Sequence, residues 1–92
     1  MPWVPGLAVR VLTHEGARSG HRSTVDALVE LVRRHGLAGI TVTRALEGYS
    51  THCGVRASAS VELGGDLPLV IEIADRVELI EPLLPELAGL VT

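Results

Sequence analysis

The chain has 92 residues, a formal net charge of −3 and one cysteine, Cys53. That is room for a single domain over residues 1–92, and it excludes a multidomain enzyme or a disulfide-stapled module. Eight arginines face eleven carboxylates, so no basic field exists for general nucleic-acid binding.

Apolar residues make up 47% of the sequence, yet Trp3 and Tyr49 are the only aromatics. Leu, Val, Ile and Ala therefore fill the core. A mean hydropathy of +0.35 in so small a domain leaves apolar surface over, and a partner subunit is the natural cover for it. The longest uncharged, mostly apolar stretch is residues 1–9, broken by Pro2 and Pro5. It is far below the roughly 20 residues of a membrane span. The expectation is a soluble, cytoplasmic protein with no direct membrane insertion.

Residues 7–13, rich in β-branched and aliphatic side chains, predict a strand that ends in the polar run 14–21, read as a loop. Ser23 stands three before Asp26, and Val25, Leu28, Val29 and Val32 recur at helical spacing. That predicts a capped amphipathic helix over residues 24–35, closed by His35 and Gly36. A second strand is expected over residues 39–46, where Ile40, Val42 and Arg44 alternate with Thr41, Thr43 and Ala45. The apolar pattern then lapses, and residues 47–65 read as a long loop, mobile over about 48–65. Residues 67–74 carry the strongest strand signal. Asp75 is expected to cap a second helix, shortened or kinked by Pro82 and Pro85. Residues 89–92 read as a last strand.

This order, strand-helix-strand-strand-helix-strand, predicts an α+β, ferredoxin-like βαββαβ fold: a four-stranded antiparallel-type sheet with two helices on one face. Val9, Val11, Ile40, Val42, Leu69, Ile71 and Ile73 would face the helices, and the other face would carry Ala8, Arg10, Leu12, Thr41, Thr43, Ala45, Val70 and Glu72. Arg10 and Glu72 are expected on neighbouring parallel strands, close enough to pair. Such a mixed face suits burial in an oligomer, with Arg10, Thr41, Thr43 and Glu72 as interface candidates.

Several segments resemble the PII-like signalling proteins, and specifically the bacterial family catalogued as domain of unknown function 190. They are residues 36–44 (GLAGITVTR), 47–49 (EGY), 66–75 (DLPLVIEIAD), 83–85 (LLP) and 89–92 (GLVT), and the resemblance covers about residues 8–92. It implies a ferredoxin-like subunit, a homotrimer with the sheets turned inward, and a mobile loop between strands two and three comparable to the PII T-loop. It further implies an adenine nucleotide (ATP, ADP, AMP or a cyclic dinucleotide) in the inter-subunit clefts, and a membrane transporter or channel regulated by contact. The chain departs from the family pattern at Ser50, where glycine is usual, and in having no basic glycine-rich turn before its last segment.

Under that resemblance, Arg44, Gly48, Tyr49, Ser50 and Arg56 are the candidate nucleotide-binding residues. Glycine admits close backbone approach, Tyr49 offers a stacking face, and guanidinium groups fork onto phosphate oxygens. The alternative is a turn with a packed tyrosine and surface arginines. His52 and Cys53, with His14 or His21, form an alternative metal set that lacks the companion spacing of a metal motif. A ligand-free structural or interaction oligomer is a further alternative. No nucleophile-elbow, Walker or dinucleotide-binding motif is present, so the chain is read as non-enzymatic.

Overall fold

The structure is a computed structural model that describes residues 3–50, 54–57 and 67–91, with residues 48–50 and 54–57 described at the backbone. Its chain order starts with strand β1 (Gly6–His14), the short hairpin β2 (Arg18–Ser19) and β3 (Arg22–Ser23), and helix α1 (Thr24–Arg34). Strand β4 (Gly39–Arg44), a second hairpin β5 (Glu47–Ser50) and β6 (Gly54–Ala57), and strand β7 (Pro68–Arg76) follow. Helix α2 (Val77–Ile80), a 3-10 turn (Glu81–Leu83) and helix α3 (Leu84–Val91) complete the described chain.

Among the described residues the main sheet has three strands in the order β1-β7-β4, with β7 antiparallel to both neighbours. Helix α1 carries the chain from one edge strand to the other, and β7 then inserts between them. This split βαβ arrangement is α+β with an antiparallel sheet, compatible with a ferredoxin-like fold. It also corrects one expectation. Arg10 and Glu72 lie on antiparallel strands, directly opposite in register, because the inserted strand runs against β1.

The period of two decides the faces. Leu69, Ile71 and Ile73 of β7 are buried while Val70, Glu72 and Ala74 point the other way. Ile71 and Ile73 join Leu28, Leu31 and Val32 of α1, Ile80 of α2 and Leu87 of α3 in one core cluster. Each fully buried aliphatic side chain contributes about 1.5–3 kcal/mol relative to exposure. Val9, Val11 and Ile40 pack against this cluster as expected. Val42, expected beside them, is instead exposed on the edge strand β4.

Helix α1 starts where its cap sits: Ser23 Oγ accepts the Asp26 N–H at 3.0 Å. Its buried face is Thr24, Ala27, Leu28, Leu31 and Val32. Val25 and Val29 flank that stripe half-buried, so the core-facing axis is turned from the one drawn through the valines. The helix ends at Gly36, whose φ of 63° suits glycine. Leu37 N–H donates to the Val32 carbonyl at 3.0 Å and Gly36 N–H to Arg33 at 3.2 Å, which is a Schellman closure.

Three further expectations are corrected. Residues 14–21 are more than a loop: Gly20, at φ 64°, makes the tight turn between β2 and β3, the first central position of a primed hairpin turn. Asp75 caps no helix. It lies in β7, where its carboxylate accepts the N–H groups of Ala38 and Arg76, each at 2.7 Å, and so ties the turn after α1 to the sheet. Finally, the last turn of α3 takes Gly89 to Val91, so these residues do not form a strand. Pro82 and Pro85 sit in the first turns of the 3-10 segment and of α3, where a missing N–H costs least.

Candidate functional site

The antiparallel register brings the ends of three strands to one end of the sheet: His14 faces Pro68, and Arg44 faces Leu69. The N-terminus of α1 arrives there too, delivered by the β2–β3 hairpin. Between them lies a cleft of about 410 Å³ lined by Glu15, Ser23, Val25, Asp26, Val42, Arg44 and Leu69. Three aliphatic walls and four polar groups share it.

Glu15 organises this end. Its Oε1 accepts the Leu67 N–H at 2.8 Å, its own N–H donates to the Leu67 carbonyl at 3.0 Å, and its Oε2 stands 3.7 Å from Arg44 Nε. Next to this junction, Ala45 N–H donates to the Pro68 carbonyl at 2.9 Å. Both ends of the segment between β4 and β7 are therefore pinned to the sheet. Across the cleft, Arg22 Nη2 donates to the Asp26 carbonyl at 3.1 Å, so the Arg22 guanidinium is held against the first turn of α1.

The cleft's own side chains carry two carboxylates, Glu15 and Asp26, against one guanidinium, Arg44. Its walls are thus suited to a ligand portion with hydrogen-bond donors and apolar faces. An anionic portion has one local partner, the Arg44 guanidinium, which is largely solvent-exposed.

Of the candidates drawn from the sequence, Arg44 lines this cleft. Gly48, Tyr49 and Ser50 form β5, and Arg56 lies in β6 opposite Gly48; their backbone positions place them in a hairpin rather than an irregular loop. His52, Cys53 and most of the 48–65 segment lie outside the described residues. Among the described residues no group of three His, Cys, Asp or Glu side chains is placed to hold a metal ion. Glu15, Ser23 and Asp26 were not anticipated as lining residues. Glu15 sat in a polar run without period, and the other two were accounted for by the helix cap.

The open face of the sheet is the second feature. Arg10, Glu72 and Thr41 stand in one cross-strand row, and Arg10 grips one carboxylate oxygen of Glu72 through Nη2 at 2.9 Å and Nε at 3.2 Å. Leu12, Val70 and Thr43 form another row. Leu12 is 74% exposed, a large aliphatic side chain standing clear of the rest of the chain. Beside these rows is a hollow of about 330 Å³ floored by small residues, including Ala8, Gly39 and Ala74. Among the described residues no helix is long and apolar enough to cross a membrane.

Comparison with known proteins gives the same chain a family. It is 33% identical over 81 residues to the UPF0166 protein of Aquifex aeolicus (strain VF5), an alignment covering 88% of this chain and 77% of that protein. The family model described as "DUF190: Uncharacterized ACR" matches residues 6–92, so the chain belongs to that family, as the segments around β4 and β7 had indicated.

Proposed function

We propose that the protein is a non-enzymatic, PII-like regulator, a ferredoxin-like subunit that forms a homotrimer through its open sheet face and binds an adenine nucleotide at the cleft beside Arg44. The observation that carries this reading is the cleft itself. It combines Val25, Val42 and Leu69 as apolar walls with acceptors at Glu15 and Asp26 and a cation at Arg44, at the base of the 48–65 segment. Apolar walls suit a purine ring, and carboxylates accept from an amino group or ribose hydroxyls. The phosphates would turn outward to Arg44.

The exposed Leu12 and the mixed open face support assembly: a face of this kind is covered more favourably by copies of the same chain than by water. In a ferredoxin-like subunit a fourth strand would lie along the edge of β1, which pairs with no other strand among the described residues. Signalling would follow from differential affinity. A nucleotide that binds one arrangement of the 48–65 segment better shifts its population, and a partner such as a membrane transporter or channel, met by the protein from the cytoplasm, reads the favoured arrangement.

Calorimetric titration of the metal-free protein with ATP, ADP, AMP and cyclic dinucleotides tests the reading. The expected result is binding at one ligand per subunit that weakens at least tenfold in Arg44→Ala, since one charge-assisted hydrogen bond contributes about 1.5–3 kcal/mol. No binding to any of the panel, or equal affinity in the variant, rejects the cleft as a nucleotide site.

A further inference from the structure

One carboxylate at the cleft serves two partners that lie far apart in sequence. Glu15 Oε1 accepts from the Leu67 N–H at 2.8 Å while Oε2 faces Arg44 Nε at 3.7 Å. Arg44 is where β4 ends, and Leu67 is where the chain returns to the sheet just ahead of β7. We propose that Glu15 is a positioning residue that couples the state of the Arg44 guanidinium to the anchoring of Leu67. The identity of the anion that would use this coupling rests on the nucleotide reading above; the coupling does not.

The geometry makes the link specific. Leu67 is buried, so its N–H has little access to water if the carboxylate turns away. Glu15 is held by its contacts more than by packing, its side chain being 35% exposed. Arg44 is the cation that favours the rotamer in which both carboxylate oxygens are used. An anion seated on Arg44 would compete for that guanidinium and bring like charge towards Glu15, which disfavours the same rotamer. The Leu67 N–H then loses its acceptor. The neighbouring clip, Ala45 N–H to the Pro68 carbonyl at 2.9 Å, involves neither side chain and should hold throughout.

The two clips make a test with an internal reference: amide hydrogen exchange at Leu67 and Ala45, read by NMR in the full chain. Arg44→Ala is expected to speed Leu67 exchange about two- to fivefold, the range of an exposed ion pair, and to leave Ala45 unchanged. Glu15→Ala should speed Leu67 more strongly, and adding Arg44→Ala to it should change nothing further. Glu15→Gln keeps an oxygen acceptor without the charge, so it preserves part of the Leu67 protection but loses the response to Arg44→Ala. Wild-type exchange at Leu67 in Arg44→Ala overturns the coupling, as does an effect of Arg44→Ala that persists in the Glu15→Ala background. With ATP as probe, exchange at Leu67 should rise in the wild type and not in Glu15→Gln. A failure of ATP to bind would count against the nucleotide site alone, because the variant comparison decides the coupling without ligand.

Discussion

The two faces of β7 are made by alternate residues of one strand and have opposite characters. Leu69, Ile71 and Ile73 point into a core shared with three helices, whereas Val70, Glu72 and Ala74 point to a surface that no element of the described subunit covers. Folding the subunit accounts for the first set and places no demand on the second. The open face carries an Arg10–Glu72 pair beside an exposed Leu12, and it is the surface through which the proposed trimer would form. The same contrast separates the middle of the sheet from its end at Glu15, where polar contacts rather than packing hold the chain.

Substitutions sharpen this contrast in order of size. On the covered face, Ile71→Ala should cost about 2–5 kcal/mol in urea unfolding, the range for a fully buried aliphatic truncated to Ala; a cost below about 1 kcal/mol would displace the core from β7. Gly36→Ala tests the helix closure alone, since a Cβ there meets nothing within 4 Å. The positive φ by itself should cost about 1–2 kcal/mol in thermal unfolding. Ser23→Ala removes the acceptor for the Asp26 N–H and should cost about 1 kcal/mol. Glu86→Gln is expected to have the smallest effect. Glu86 pairs with Arg34 and lies 3.6 Å from His35 Nε2, but these groups are exposed, and such pairs contribute about 0.2–1 kcal/mol.

Legibility followed the same divide. Alternation in β1 and β7 and the stripe on α1 were readable because one face of each is buried, which leaves a period in the sequence. The Schellman closure was readable from His35-Gly36 for a local reason, that few residues tolerate a left-handed position. The β2–β3 hairpin was read as a loop, since strands this short carry no period. Asp75 misled because an acidic residue just ahead of an apolar helical segment imitates a cap, while its actual partner, the Ala38 N–H, is far away in sequence. Gly89-Leu90-Val91 misled likewise: its β-like composition was outweighed by continuation of a helix whose Leu87 reaches the core. Arg44, singled out for its charge and position, lines the cleft; Glu15 was not singled out, because a residue whose partners are Leu67 and Arg44 is placed only once the register is set.

The most direct test of this division of faces is sedimentation of the wild type beside Leu12→Glu, with thermal unfolding of both. Leu12 is exposed on the open face, so the substitution should change the stability of the isolated subunit by no more than about 0.5 kcal/mol. The account predicts a wild type of three subunits and a Leu12→Glu variant that sediments as a folded monomer. A wild type that is monomeric, or a variant that keeps the wild-type mass, would contradict it.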